Sequence, residues 1–146
     1  MDASRLVGSW RLVSWEATRA DGSIERPMGE RPEGLVVYGD DGTMLVLLGR
    51  SERPRISGND ISGGTLAERA EAMRTFIAYG GRYEVQGSRI THHVEMSLFP
   101  NWVGSRQVRE LTIDDTGNRL TLRSPPIAVS GTTGSHRLSW ERRTTR

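Results

Sequence analysis

Short apolar runs alternate with Gly and Asp-Gly turns along most of the chain, the pattern of an antiparallel all-β fold. "GSWRLVSWEAT" reads as a long first strand, and "SIERPM" as a short second one after the turn "ADGS". "GLVVYG" and "TMLVLLGR" flank "DDG" and form a hairpin. Their nearly continuous apolar character predicts burial on both faces, or cover over the outer one. Five more candidates follow: "RYEVQ", "RITHHVEMSLF", "RQVRELTID", "RLTLRS" and "SHRLSWERR", with a weaker "PIAVS" before the last.

One segment has a helical period. Thr65 and Glu68 form a T-x-x-E capping box, and Leu66, Ala70, Met73 and Ile77 make an apolar stripe. The spacing predicts a helix over 65–79, ended by Gly80-Gly81. A Gly/Pro/Ser/Asn-rich loop at 51–64 precedes it and has the composition of a mobile lid. No repeat or linker divides residues 1–146, which read as one domain. The expectation is an up-and-down β-barrel of about 8–10 strands, whose closure removes aggregation-prone edges, with the helix capping one mouth. An open sandwich is the alternative.

Strand parity sorts the side chains. Gln86-Gly87-Ser88-Arg89 fits a two-residue hairpin loop with Gly first. Val85 then faces Ile90, Glu84 faces Thr91, Tyr83 faces His92 and Arg82 faces His93. Successive residues of a strand point oppositely, so "HH" is one inward and one outward histidine and cannot clamp a metal. Tyr83, His92, Val94 and Met96 fall on the inner face, with Leu98 beyond them. By the same argument Gln107, Arg109 and Leu111 point inward, as do His136 and Trp140. An apolar interior with a few polar groups is the usual lining of a small-molecule site. A lone inward histidine also fits a plain core residue bonded to a neighbour. Phe99-Pro100-Asn101-Trp102 reads as a turn with an aromatic plug, or as a mouth loop that touches ligand.

Composition narrows the chemistry. There is no cysteine, and all 20 basic residues are arginine, so thiol chemistry and lysine Schiff bases are excluded. The arginines are spread among 18 carboxylates rather than gathered in a stripe, which argues against nucleic acid as a partner. "ERRTTR" at the C-terminus reads as a solvated tail. No apolar run is long enough to cross a membrane, and the N-terminus lacks a secretory signal pattern, so the cytoplasm is the expected compartment. His93 with Glu95 is too small a ligand set for a metal. No phosphate loop, G-x-S-x-G or H-E-x-x-H occurs, and no cofactor is expected. A Gly-Gly-Thr step before the helix is a weak anion signal. A homodimer stays open.

Several stretches together resemble the bacterial lipocalin-like domain family. They are "LVGSWRLVSWEA" with its G-x-W at Gly8 and Trp10, "PMGERPEGLVVYGDDGTM", "YGGRYEV", "THHVEMSLFPNWVGSRQVREL", "RLTLRSPP" and "HRLSWER". The resemblance runs from about Leu6 to Arg142 and implies a β-barrel with an internal cavity. It also implies that Trp10 packs near an arginine of the final strand, for which Arg137 and Arg142 both stand as candidates.

The first functional reading is a barrel that binds a small hydrophobic or amphipathic molecule, with Arg109, His92 and Tyr83 orienting its polar end. The alternative is a cofactor-independent isomerase, cyclase or hydro-lyase in which His92 moves a proton, Tyr83 polarises and Arg109 stabilises an enolate or carboxylate. The third reading is a barrel with a filled interior. A cavity of roughly a few hundred Å³ beside His92 and Arg109 separates the first two from the third.

Overall fold

The computed structural model describes residues 3–144. Among them are nine strands and one α-helix: β1 (Gly8–Thr18), β2 (Ile24–Glu25), β3 (Glu33–Tyr38), β4 (Thr43–Gly49), α1 (Leu66–Arg74), β5 (Phe76–Gln86), β6 (Arg89–Ser97), β7 (Arg106–Ile113), β8 (Arg119–Val129) and β9 (Thr132–Arg142). All pairings are antiparallel, and β9 returns to pair with β1. The result is a closed eight-stranded barrel of β1 and β3 to β9, with β2 as a short addition on the end of β1.

One end of the barrel is sealed. The Trp10 ring lies under the Arg142 guanidinium, 4.2 Å from its centroid, and the indole N–H donates to the Leu6 carbonyl. Arg142 also donates to the carbonyls of Arg5, Val7 and Gly117, so one side chain ties the first strand, the last strand and a turn together. Arg142, not Arg137, is therefore the partner of the G-x-W tryptophan. It is also a structural residue rather than part of a solvated tail; the rest of that tail includes Thr145 and Arg146, which lie outside the described residues.

At the other end stand α1, a 3₁₀ turn at Pro100–Trp102 and the β8–β9 tip, where Ser130 Oγ donates to the Arg74 carbonyl. The capping box forms as expected: Glu68 N donates to Thr65 Oγ1, and Thr65 N donates to Glu68 Oε1. The helix ends at Arg74 rather than at residue 79, and Gly80-Gly81 lies in a strand. Phe76, Ile77 and Tyr79 have strand-forming side chains, and pairing of Ile77 with Leu48 and of Tyr79 with Val46 overrides the helical period. The apolar stripe does not enter the barrel core: Leu66 is 81% exposed and Met73 48%. The 51–64 loop folds onto the helix, where Ser57 N and Oγ both donate to Glu68 and Arg53 donates to Thr75 Oγ1 and the Ala72 carbonyl.

The Gly87 hairpin has the expected register, with Tyr83 opposite His92 and Arg82 opposite His93. Gly87 alone of its turn pair has positive φ, as the type II′ turn requires. The parity then breaks at a bulge between Gly80 and Gly81. A Cβ on Gly81 would sit 2.0 Å from the His93 carbonyl oxygen, so only glycine fits this close approach. Beyond the bulge Met96 turns outward and Leu98 is exposed.

The β3–β4 hairpin is buried on one face only. Val36, Tyr38, Met44, Val46 and Leu48 are in the core, whereas Leu45 and Leu47 are exposed and nothing among the described residues covers them. The β7–β8 ladder covers only Glu110–Ile113 against Leu120–Arg123, and Arg106 to Arg109 pair with β6 alone. Pro125 and Pro126 lack amide donors, so the ladder stops there and the wall opens into a lateral cleft beside Arg109, Ser124 and His136. "RLTLRS" and "PIAVS" thus belong to one strand that crosses two prolines.

Candidate functional site

His92 sits on the inner face of β6, fully enclosed. Its Nε2 lies 2.7 Å from the Tyr38 hydroxyl of β3, and its Nδ1 lies 2.8 Å from the Tyr79 hydroxyl of β5. Both ring nitrogens are therefore occupied. Burial, reinforced by the Arg109 charge, lowers the His92 pKa to about 3, so the imidazole is neutral. Burial likewise pushes Tyr79 up to about 12 and Tyr38 well above its ordinary value. The three groups form a neutral hydrogen-bonded chain across the barrel.

Arg109 enters from β7, opposite Ile90, and is half-buried, lining both the interior and the lateral cleft. Its one hydrogen bond runs from Nη1 to the Val108 carbonyl at 2.9 Å. Burial lowers its pKa, while the neighbouring tyrosines oppose that shift. It remains a cation at neutral pH, because arginine starts so high. His136 on β9 is fixed in one tautomer. The Trp15 indole N–H donates to Nδ1 at 2.8 Å, so Nε2 carries the proton and faces the Ile127 carbonyl at 3.2 Å. The Trp140 indole nitrogen is buried and has no hydrogen-bond partner.

Tyr79, His92, Arg109, Ser124, His136 and Trp140 supply the polar lining of an interior cavity, and Val36, Val46, Leu48 and Leu122 supply much of its apolar wall. The cavity itself is about 50 Å³, smaller than expected. An apolar crevice of about 480 Å³ lies beside it at the barrel mouth, and Ile77, Trp102 and Val129 line both. Met73 and Ala70 of the helix, with Phe76, Leu98 and Phe99, line the crevice. The helical stripe thus faces the mouth rather than the core. Trp102, which lines both spaces, stacks edge-on against Tyr79 at 5.3 Å.

Among the residues expected to bind ligand, His92, Arg109, His136 and Trp140 line the cavity. Tyr83 does not; its hydroxyl donates to the Gly39 carbonyl and its ring packs edge-on against Tyr38. Val94 and Leu111 are buried in the core without lining the cavity, and Gln107 donates to Ser105 Oγ. Met96 is 77% exposed, because the Gly80-Gly81 bulge turns it out. His93 points outward and meets Glu84 at 2.8 Å, not Glu95.

Tyr38, Tyr79 and Trp15 complete the site and were not among the expected residues, whereas Trp102 belongs to the loop read as an aromatic plug or a ligand contact. Tyr38 was within reach, since it follows Val36 at strand spacing. Tyr79 was hidden by its assignment to the helix. Trp15 reaches the interior only through a second irregularity, between Leu12 and Ser14 of β1, that the sequence does not mark.

Comparison with known proteins agrees with this architecture. Residues 7–143 match the lipocalin-like domain family. A 4'-hydroxy-3'-methoxypropiophenone carrier protein of Aspergillus oryzae is 35% identical over 102 residues, covering 64% of this chain and 90% of that protein. The crystal structure of a lipocalin-like protein from Bacteroides uniformis superposes with a TM-score of 0.50 at 13% identity, covering 94% of this chain and 98% of that one. The match along nearly the whole chain, on a closed barrel with the Trp10–Arg142 seal, places this protein in the lipocalin-like domain family.

Proposed function

We propose that the protein is a carrier or binder of a small amphipathic molecule, held with its polar end in the cavity and its apolar body in the mouth crevice. The observation that carries this reading is that the two spaces are neighbours and share Ile77, Trp102 and Val129 in their linings. The cavity alone accommodates little more than a polar head, and the crevice supplies the volume and the apolar wall. Burial there stabilises the complex by about 25 cal/mol per Å² of apolar surface. Arg109 is the cation that orients the polar end. The similarity to a fungal protein named as a carrier of an aryl ketone supports the same reading. The catalytic alternative draws no support from His92, since tyrosines take both of its nitrogens.

Native mass spectrometry of protein purified from its own host tests the proposal, together with titration of naphthalene followed by tryptophan fluorescence. Binding that is lost when Phe99 and Met73 are both replaced by aspartate is the expected result. Absence of any co-purifying molecule and of naphthalene binding would overturn it.

A further inference from the structure

The side-chain hydrogen bonds around the cavity leave more donors over than acceptors. A neutral imidazole has one N–H and one lone pair, and His92 offers each to a tyrosine. One tyrosine therefore donates to the ring and the other accepts from it. The accepting tyrosine must place its own hydroxyl proton elsewhere. Tyr38 is completely buried, does not line the cavity and has no other hydrogen-bond partner. Were it the acceptor, its proton would be orphaned in the core, which buried polar groups avoid. Tyr79 lines the cavity, so its proton can meet an acceptor there. The chain thus runs in one direction: Tyr38 O–H to Nε2, Nδ1–H to Tyr79 oxygen, Tyr79 O–H into the cavity.

Two further donors belong to residues of the cavity lining. The buried Trp140 indole N–H has no partner, and the Arg109 guanidinium uses only one N–H, on Val108. The one histidine lone pair of His136 is already taken by Trp15. No carboxylate lines the cavity, and the Ser124 hydroxyl is the only other side-chain acceptor in the lining. We infer that the cavity recognises an oxygen acceptor at the inner end of its ligand and that, where this oxygen can ionise, it binds the anion: a phenolate, enolate or carboxylate. Tyr79, Trp140 and Arg109 are the ligand-binding donors, and Tyr38 and His92 are positioning residues that aim the Tyr79 proton. This inference rests on the binding role proposed above and specifies its ligand chemistry.

The test is a pH titration of 4-nitrophenol, whose phenolate absorbs visible light and whose phenol does not, with the full chain in excess. Naphthalene binding is measured alongside as a probe without an acceptor. The bound nitrophenol is expected to ionise about one pH unit or more below the free compound, which is at least tenfold tighter binding of the phenolate. Arg109→Leu should abolish most of that shift. Tyr79→Phe and Tyr38→Phe should each reduce it, the latter although Tyr38 does not line the cavity. Nitrophenol that binds but ionises as in water overturns the inference and leaves the binding role standing. A normal shift that persists in both tyrosine variants overturns the assigned direction of the chain. Failure of both probes to bind the parent protein overturns the binding role and the inference with it.

Discussion

His92 illustrates how a residue that looks chemical can be structural. Its position and inward direction follow from the Gly87 turn and from alternation along two strands. Its role does not, because that depends on Tyr38 and Tyr79, which arrive from strands distant in sequence. His92→Phe should leave two buried tyrosine hydroxyls without a partner and destabilise the fold by about 1–3 kcal/mol for each, read as a lower midpoint in urea. The same histidine makes stability depend on pH. Its pKa is depressed from 6.5 to about 3 on folding, so the unfolded chain binds the extra proton. The contribution is complete above the unfolded value and decreases as pH falls, until it is lost through the folded value. The lowered His136 pKa acts in the same direction. Urea midpoints should therefore fall steadily as the solution is acidified below about pH 6.5, and less steeply in His92→Phe. Arg109→Leu belongs to the same scale. It should cost an anionic ligand about 1.5–3 kcal/mol of binding, roughly tenfold to a hundredfold in affinity, with the urea midpoint maintained.

Among the elements, the strands were legible and the helix was only half so. The extent of β1 was legible although its alternation breaks between Leu12 and Ser14, and the Gly-Ser turn fixed the register of β5 on β6 as far as the bulge. The capping box marked where α1 begins. Its end was misplaced because Ile77 fits a helical period and a strand pairing equally well, and only β4 decides between them. Met96 was misplaced for a related reason: a bulge adds one residue and reverses every later side chain, and nothing local announces it. Since α1 buries no residue, it and the loop folded on it should behave as a separate unit of low stability. Amide exchange at 53–74 should be much faster than in β1 or β9. Glu68→Ala, which removes the Glu68 half of the capping box and the Ser57 tether, should accelerate it further without moving the unfolding midpoint of the barrel. Equal protection across helix and barrel would show that the two open together.

For the molecule as a whole, closure depends on one end. Arg142 bonds three carbonyls and covers Trp10, so Arg142→Ala should cost about 2–3 kcal/mol and loosen the β1–β9 pairing. Fluorescence-monitored unfolding would report it, and a loss below about 0.5 kcal/mol would place closure elsewhere. The barrel shape was legible in the number and spacing of apolar runs. The shape of its interior was not, because a small cavity is a difference between large packed volumes and any one rotamer can fill it. The gap between β7 and β8 bears on how such a cavity exchanges its contents. A molecule pressing in past Trp102 must expel the water ahead of it, and a sealed barrel would trap that water as a cushion. Where two prolines interrupt the ladder, the lateral cleft shares Arg109, Ser124 and His136 with the cavity lining, whereas the crevice shares Ile77, Trp102 and Val129. In the carrier reading proposed above, such a cleft would be the cavity's drain: water would leave sideways while the ligand arrives from the mouth, and filling would not wait for the mouth to clear.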